Sequence, residues 1–121
     1  MSNLHPAKAA KARAQLIAAI AQYDGAPTDL AFLTVVKAFE VCMEYVWREL
    51  KRRIESDGLE SASPKMAIKQ AARIGIITDP EAWLQCLNAR NNSVHDYFGI
   101  STDDYLALAR RLVTLMATLP E

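Results

Sequence analysis

All four glycines and all five prolines of this 121-residue chain fall where its apolar periodicity stops. Between these breaks apolar residues recur at three- and four-residue steps, the signature of helices joined by short turns. Five helical segments follow. The first runs from about Pro6, suited to a first helical position, through an alanine-rich stretch to Tyr23, and stops at Gly25 and Pro27. Its apolar face is Leu16, Ile17, Ile20 and Tyr23. The second opens at Asp29 as N-cap and carries Phe32, Val36, Phe39, Met43, Val46, Leu50 and Ile54 before Gly58. At ~1.5 Å per residue it is about 40 Å long, the natural spine of a bundle. Val35, Cys42, Tyr45 and Trp47 widen its stripe beyond what one neighbour covers, which predicts either a central helix or a dimer face.

Ser63 and Pro64 start a third, short and basic segment presenting Met66, Ile68, Ala71, Ala72 and Ile74 before Gly75. Asp79 and Pro80 start a fourth, with Trp83, Leu84 and Leu87 inward, which runs into the polar string Asn88 to Ser93. After Gly99, Ser101 caps a fifth with Tyr105, Leu108, Leu112, Leu115, Met116 and Leu119 on one face. Strand-like alternation and internal repeats are missing from the sequence. The expected fold is an all-α, up-and-down bundle of about five helices, one domain over residues 1–121.

Charge narrows the functions. The 14 basic and 14 acidic residues cancel, so the chain lacks the global basic excess of a sequence-independent duplex binder, and any nucleic-acid contact must be local. Cys42 and Cys86 sit inside apolar helical patterns and read as buried, reduced thiols. Met1 to Pro6 does not read as a signal peptide, and no apolar run approaches the ~20 residues of a membrane span, so the expected location is the cytoplasm. A Gly-rich phosphate loop, Cys or His clusters at zinc spacing and a Gly-x-Ser-x-Gly elbow are all lacking, and no cofactor is expected.

Imidazole chemistry falls to His95, because the other histidine, His5, lies near the terminus. His95 belongs to a dense polar row, Arg90-Asn91-Asn92-Ser93-Val94-His95-Asp96-Tyr97. On a regular helix, residues five apart diverge by about 140°, since each residue turns by ~100°. Arg90 and His95 therefore meet only through a helix break near Asn92 or across a two-fold axis, which would duplicate every residue. If the helix persists, Arg90 shares a face with Tyr97, and Asn91 with His95. An arginine, a histidine and a flanking amide suit metal-free phosphodiester cleavage: His95 takes the proton of a ribose 2′-hydroxyl and Arg90 holds charge on the phosphate oxygens. The same residues also suit a plain helix C-terminus, where the dipole favours cations and Asn and Ser are ordinary terminators.

The string R-N-N-S-V-H-D-Y resembles the R-x4-H-x-Y signature of HEPN domains, in the HepT-like branch also called nucleotidyltransferase substrate-binding proteins. K-A-F-E-V-C-M-E-Y-V-W-R-E-L in the second helix agrees with that branch, as do S-P-K-M-A-I-K-Q-A-A-R-I-G-I-I and D-P-E-A-W-L-Q-C-L-N-A-R after it. The resemblance implies a homodimer with two signatures face to face and a metal-independent ribonuclease toxin. Its partner would be a minimal nucleotidyltransferase antitoxin that attaches AMP to the signature tyrosine. On this chain it makes Arg90 and His95 the catalytic pair, Asn91 their polar neighbour and Tyr97 the modification site. Glu40 and Glu44, matching acids of the family motif, would support the site or a partner contact.

The line Lys37, Glu40, Glu44, Arg48 and Lys51 along the second helix also reads as a solvated face stitched by ion pairs. Trp47 and Trp83 read as core rather than as base-stacking platforms. Arg52, Arg53, Lys65, Lys69 and Arg73 are candidates for a local RNA or partner surface. Two functions compete: the RNA-cleaving toxin, favoured by the intact signature, and a non-catalytic substrate-binding or docking subunit of a nucleotidyltransferase, toward which the neutral charge leans.

Overall fold

A computed structural model describes the backbone of residues 4–60, 63–95 and 100–119, and side chains from residue 7 onward except those of 94 and 95. The described residues form five α-helices and no strand: α1 (Leu4–Gly25), α2 (Asp29–Ser56), α3 (Pro64–Arg73), α4 (Pro80–His95) and α5 (Thr102–Ala117). The all-α bundle expected from the glycine and proline punctuation is the observed architecture. None of these helices is long and apolar enough to cross a membrane.

Local chemistry sets the helix ends. Ser63, Asp79 and Ser101 are N-caps whose side-chain oxygens accept from the amides of Met66, Ala82 and Asp104 at 3.2, 3.2 and 3.1 Å. At α2 the cap is Thr28, not Asp29: the Thr28 hydroxyl accepts from the Ala31 amide at 3.0 Å, leaving Asp29 in the first turn. Gly58 and Gly75, with φ of 82° and 84°, stop α2 and α3. Each is followed by a residue whose amide reaches back into the last turn, Leu59 to Ile54 at 3.2 Å and Ile76 to Ala71 at 2.8 Å. Gly25, by contrast, lies inside the last turn of α1.

Central α2 packs against all four other helices, and α1 and α4 both also meet α5. Phe32, Val35, Val36, Phe39, Cys42, Met43, Val46, Leu50 and Ile54 are all buried along it, so the wide stripe is largely consumed within one chain. Phe32 and Phe39 meet Tyr105 of α5 edge-on at 5.8 and 5.1 Å. Three apolar residues assigned inward by periodicity are open instead: Ile17 is 43% exposed, Met66 42% and Ile74 36%. Their places facing the core are taken by alanines, Ala9, Ala12 and Ala19 in α1 and Ala67 and Ala71 in α3, which let these helices approach α2 closely.

Candidate functional site

The polar row does not end α4. The helix continues without a break through Asn92 to His95, which removes a kink there as a way to bring Arg90 and His95 together. The backbone directs them about 140° apart within one chain. Both the His95 side chain and Tyr97 lie outside the described residues, so of the three signature positions only Arg90, with its neighbour Asn91, can be placed with its side chain.

Arg90 stands at the edge of a cleft between α2, α3 and α4. Its guanidinium donates to Asn91 Oδ1 at 3.2 Å, and lies 3.7 Å from Glu44 Oε1, longer than a hydrogen bond. The other carboxylate oxygen of Glu44 accepts from Arg48 Nε at 2.9 Å. One carboxylate therefore sits between two guanidiniums, with Glu44 39% and the Arg90 side chain 34% exposed. Glu44, singled out in the sequence for the site or a partner contact, lies beside Arg90.

Glu40, one turn earlier on α2, meets α4 differently. Its carboxylate accepts from Ser93 Oγ at 2.7 Å, and Ser93 Oγ in turn accepts from the Tyr105 hydroxyl at 3.0 Å. This chain links α5, α4 and α2 through a serine that is only 2% exposed. Ser93 also lies 3.1 Å from the Arg90 carbonyl oxygen, so the network grips the turn of α4 that carries the arginine. In the sequence, Ser93 is one more member of the polar string with no role of its own, and Tyr105 reads as plain core. The signal lies in the pair: a serine inside a helix and a tyrosine on an inward face both need buried partners.

The cleft itself has room for about 160 Å³. Met43, Val46 and Leu50 of α2 and Leu87 of α4 form its buried apolar floor, with Pro64 and Ile68 of α3 along one side. Trp47 lines it while remaining part exposed. Reading both tryptophans as core is thus right for Trp83, 1% exposed, and incomplete for Trp47.

A family model described as "Nucleotidyltransferase substrate binding protein like" matches residues 4–112, from α1 into α5. The chain belongs to that family. No curated protein matches it. In this substrate-binding-like chain the two cysteines are buried and unbridged, and burial pushes both thiols up to about 12, which makes them poor nucleophiles at neutral pH.

Two of the five basic residues considered for a partner or RNA surface are otherwise engaged. Arg52 and Arg53 both bond the carboxylate of Glu49, which is 3% exposed, Arg52 Nη2 at 2.6 Å. Burial raises the Glu49 pKa, and the hydrogen bonds from Arg52 and Arg53 outweigh it, so the carboxyl sits below its ordinary value. Lys65, Lys69 and Arg73 are exposed or part exposed on α3.

Proposed function

We propose that this chain is the substrate-binding or docking subunit of a nucleotidyltransferase, of the HepT-like HEPN type, and that the end of α4 with residues 96–97 is the segment it presents. The observation that carries this reading is the use made of the polar groups around Arg90. Glu40, Ser93 and Tyr105 are spent on holding α4, and Asn91 and Glu44 flank the guanidinium itself. That is a scaffold for presenting a segment, and family membership over residues 4–112 supports a nucleotidyltransferase as the enzyme that receives it. Tyr97 is the group offered. Its phenol oxygen attacks the α-phosphorus of ATP on the partner, pyrophosphate leaves, and the phenolic proton passes to solvent.

Co-expression with a small nucleotidyltransferase encoded beside it tests the proposal. The two chains should co-elute, and intact mass after incubation with ATP should rise by AMP, mapped to Tyr97 and lost in Tyr97→Phe. Failure to co-elute, together with an unchanged mass in the presence of an active partner, would overturn it.

A second reading, metal-independent RNA cleavage by Arg90 and His95, is favoured by one observation: the guanidinium of Arg90 is exposed enough to meet a phosphate. An unbroken α4 then requires a homodimer in which His95 of one chain approaches Arg90 of the other. RNA degraded by the purified chain in EDTA, and spared by both Arg90→Ala and His95→Ala, would put this reading first.

A further inference from the structure

The cleft between α2, α3 and α4 has a chemistry that the partner reading does not use. Three of its properties point the same way. The first is size: an engineered apolar cavity of about 150 Å³ holds one benzene, so about 160 Å³ accommodates a single ring and leaves any larger ligand to project outward. The second is the wall. Met43, Val46, Leu50 and Leu87 give an apolar floor, and Trp47 gives a flat aromatic surface that is part exposed rather than packed away like Trp83. Flat π-systems gain more from such a wall than aliphatic groups of the same volume.

The third is charge at the mouth. Arg48 takes one oxygen of Glu44 at 2.9 Å, while Arg90 stays 3.7 Å from the other. Arg48, Arg90 and Glu44 together carry a net positive charge; Glu44 and Arg90 line the cleft, and because Arg48 holds the Glu44 carboxylate, Arg90 is the looser of the two guanidiniums. A planar guanidinium in that position recognises a carboxylate or a phosphate.

We propose that this cleft is a binding site for a small ring-bearing anion, its ring against Trp47 over the apolar floor and its carboxylate or phosphate on Arg90. The site shares Arg90 and Glu44 with the reading above, yet it requires no nucleotidyltransferase.

Calorimetry and amide–indole NMR on the full chain test it with four probes. Phenyl phosphate and 3-phenylpropanoate carry ring and anion, benzyl alcohol the ring alone, and inorganic phosphate the anion alone. Either ring-bearing anion should bind about tenfold or more tightly than both halves, and should shift the indole N–H of Trp47 while that of Trp83 stays in place. Preference for the phosphate or for the carboxylate identifies the natural source, and either one supports the site. Arg90→Gln should remove the advantage of the anions and leave benzyl alcohol unaffected; Trp47→Ala should weaken all three ring probes. Because Trp47→Ala also alters packing, the decisive variant is Arg90→Gln, whose side chain is part exposed, with an unchanged thermal midpoint as control. The proposal is overturned if no ring-bearing anion shifts Trp47 at millimolar concentration, or if Arg90→Gln binds phenyl phosphate as the parent does. Co-elution with the nucleotidyltransferase is scored separately, so either idea can fail alone.

Discussion

Ser93 shows how a residue can stand out for one reason and matter for another. It lies in the densest polar stretch of the chain, yet it is buried and bonded to Glu40 and to Tyr105, residues 53 and 12 positions away. Long-range partners of this kind leave no periodic trace in a sequence. Ser93→Ala removes the hydroxyl that bonds Tyr105 and Glu40, and should lower unfolding free energy by about 1–3 kcal/mol in denaturant titrations. Tyr105→Phe removes the hydroxyl that donates to Ser93 and leaves the Ser93–Glu40 bond in place, and the double variant should be non-additive. Glu49 is equally hidden, although arginines three and four residues later are its visible companions. A carboxyl held below its ordinary 4.5 stabilises the fold above that pH and ceases to do so as pH falls through the lowered value. Glu49→Gln should therefore be less stable than the parent at pH 7, with the gap closing in acid. A gap that stayed constant well into acid would show that charge is not the cause.

At the level of single helices, punctuation is the legible part. Ser63, Asp79 and Ser101 cap as their spacing from the apolar runs indicates. The start of α2 differs by one residue because Thr28 and Asp29 are both good caps and only geometry chooses between them. Gly75 sits at φ 84° with open space around its α-carbon. Gly75→Ala should thus cost about 1–2 kcal/mol from backbone strain alone, read as a lowered denaturation midpoint. The end of α4 is harder, since Asn and Ser commonly terminate helices and nothing local announces that a buried hydroxyl bond carries this one onward. Asn92 is exposed within it. Asn92→Ala should accordingly stabilise the protein by about 0.5 kcal/mol, whereas destabilisation would mean that the asparagine serves as a helix stop.

For the whole molecule, the five-helix order is recoverable from sequence, but which apolar faces pair is not. Ile17, Met66 and Ile74 fit the periodic pattern and still face outward, because the neighbour that would cover them is set by the crossing of helices rather than by any one helix. The site is legible in part for a related reason: Arg90 and Glu44, singled out in two separate stretches of the sequence, meet across α4 and α2, while Trp47 becomes part of a cleft wall only once α3 is in place beside it.

The central position of α2 carries a consequence for how the molecule breathes. A helix touched by every other one can lose its amide protons to solvent only when the entire structure opens, so its slowest amides should exchange with deuterium at the free energy of global unfolding. Ten-residue α3, packed chiefly on α2 and α4, is the shortest helix among the described residues and should exchange through smaller, local openings. Those openings would take Pro64 and Ile68 away from Trp47, making exchange in α3 a gauge of how often the cleft admits a visitor.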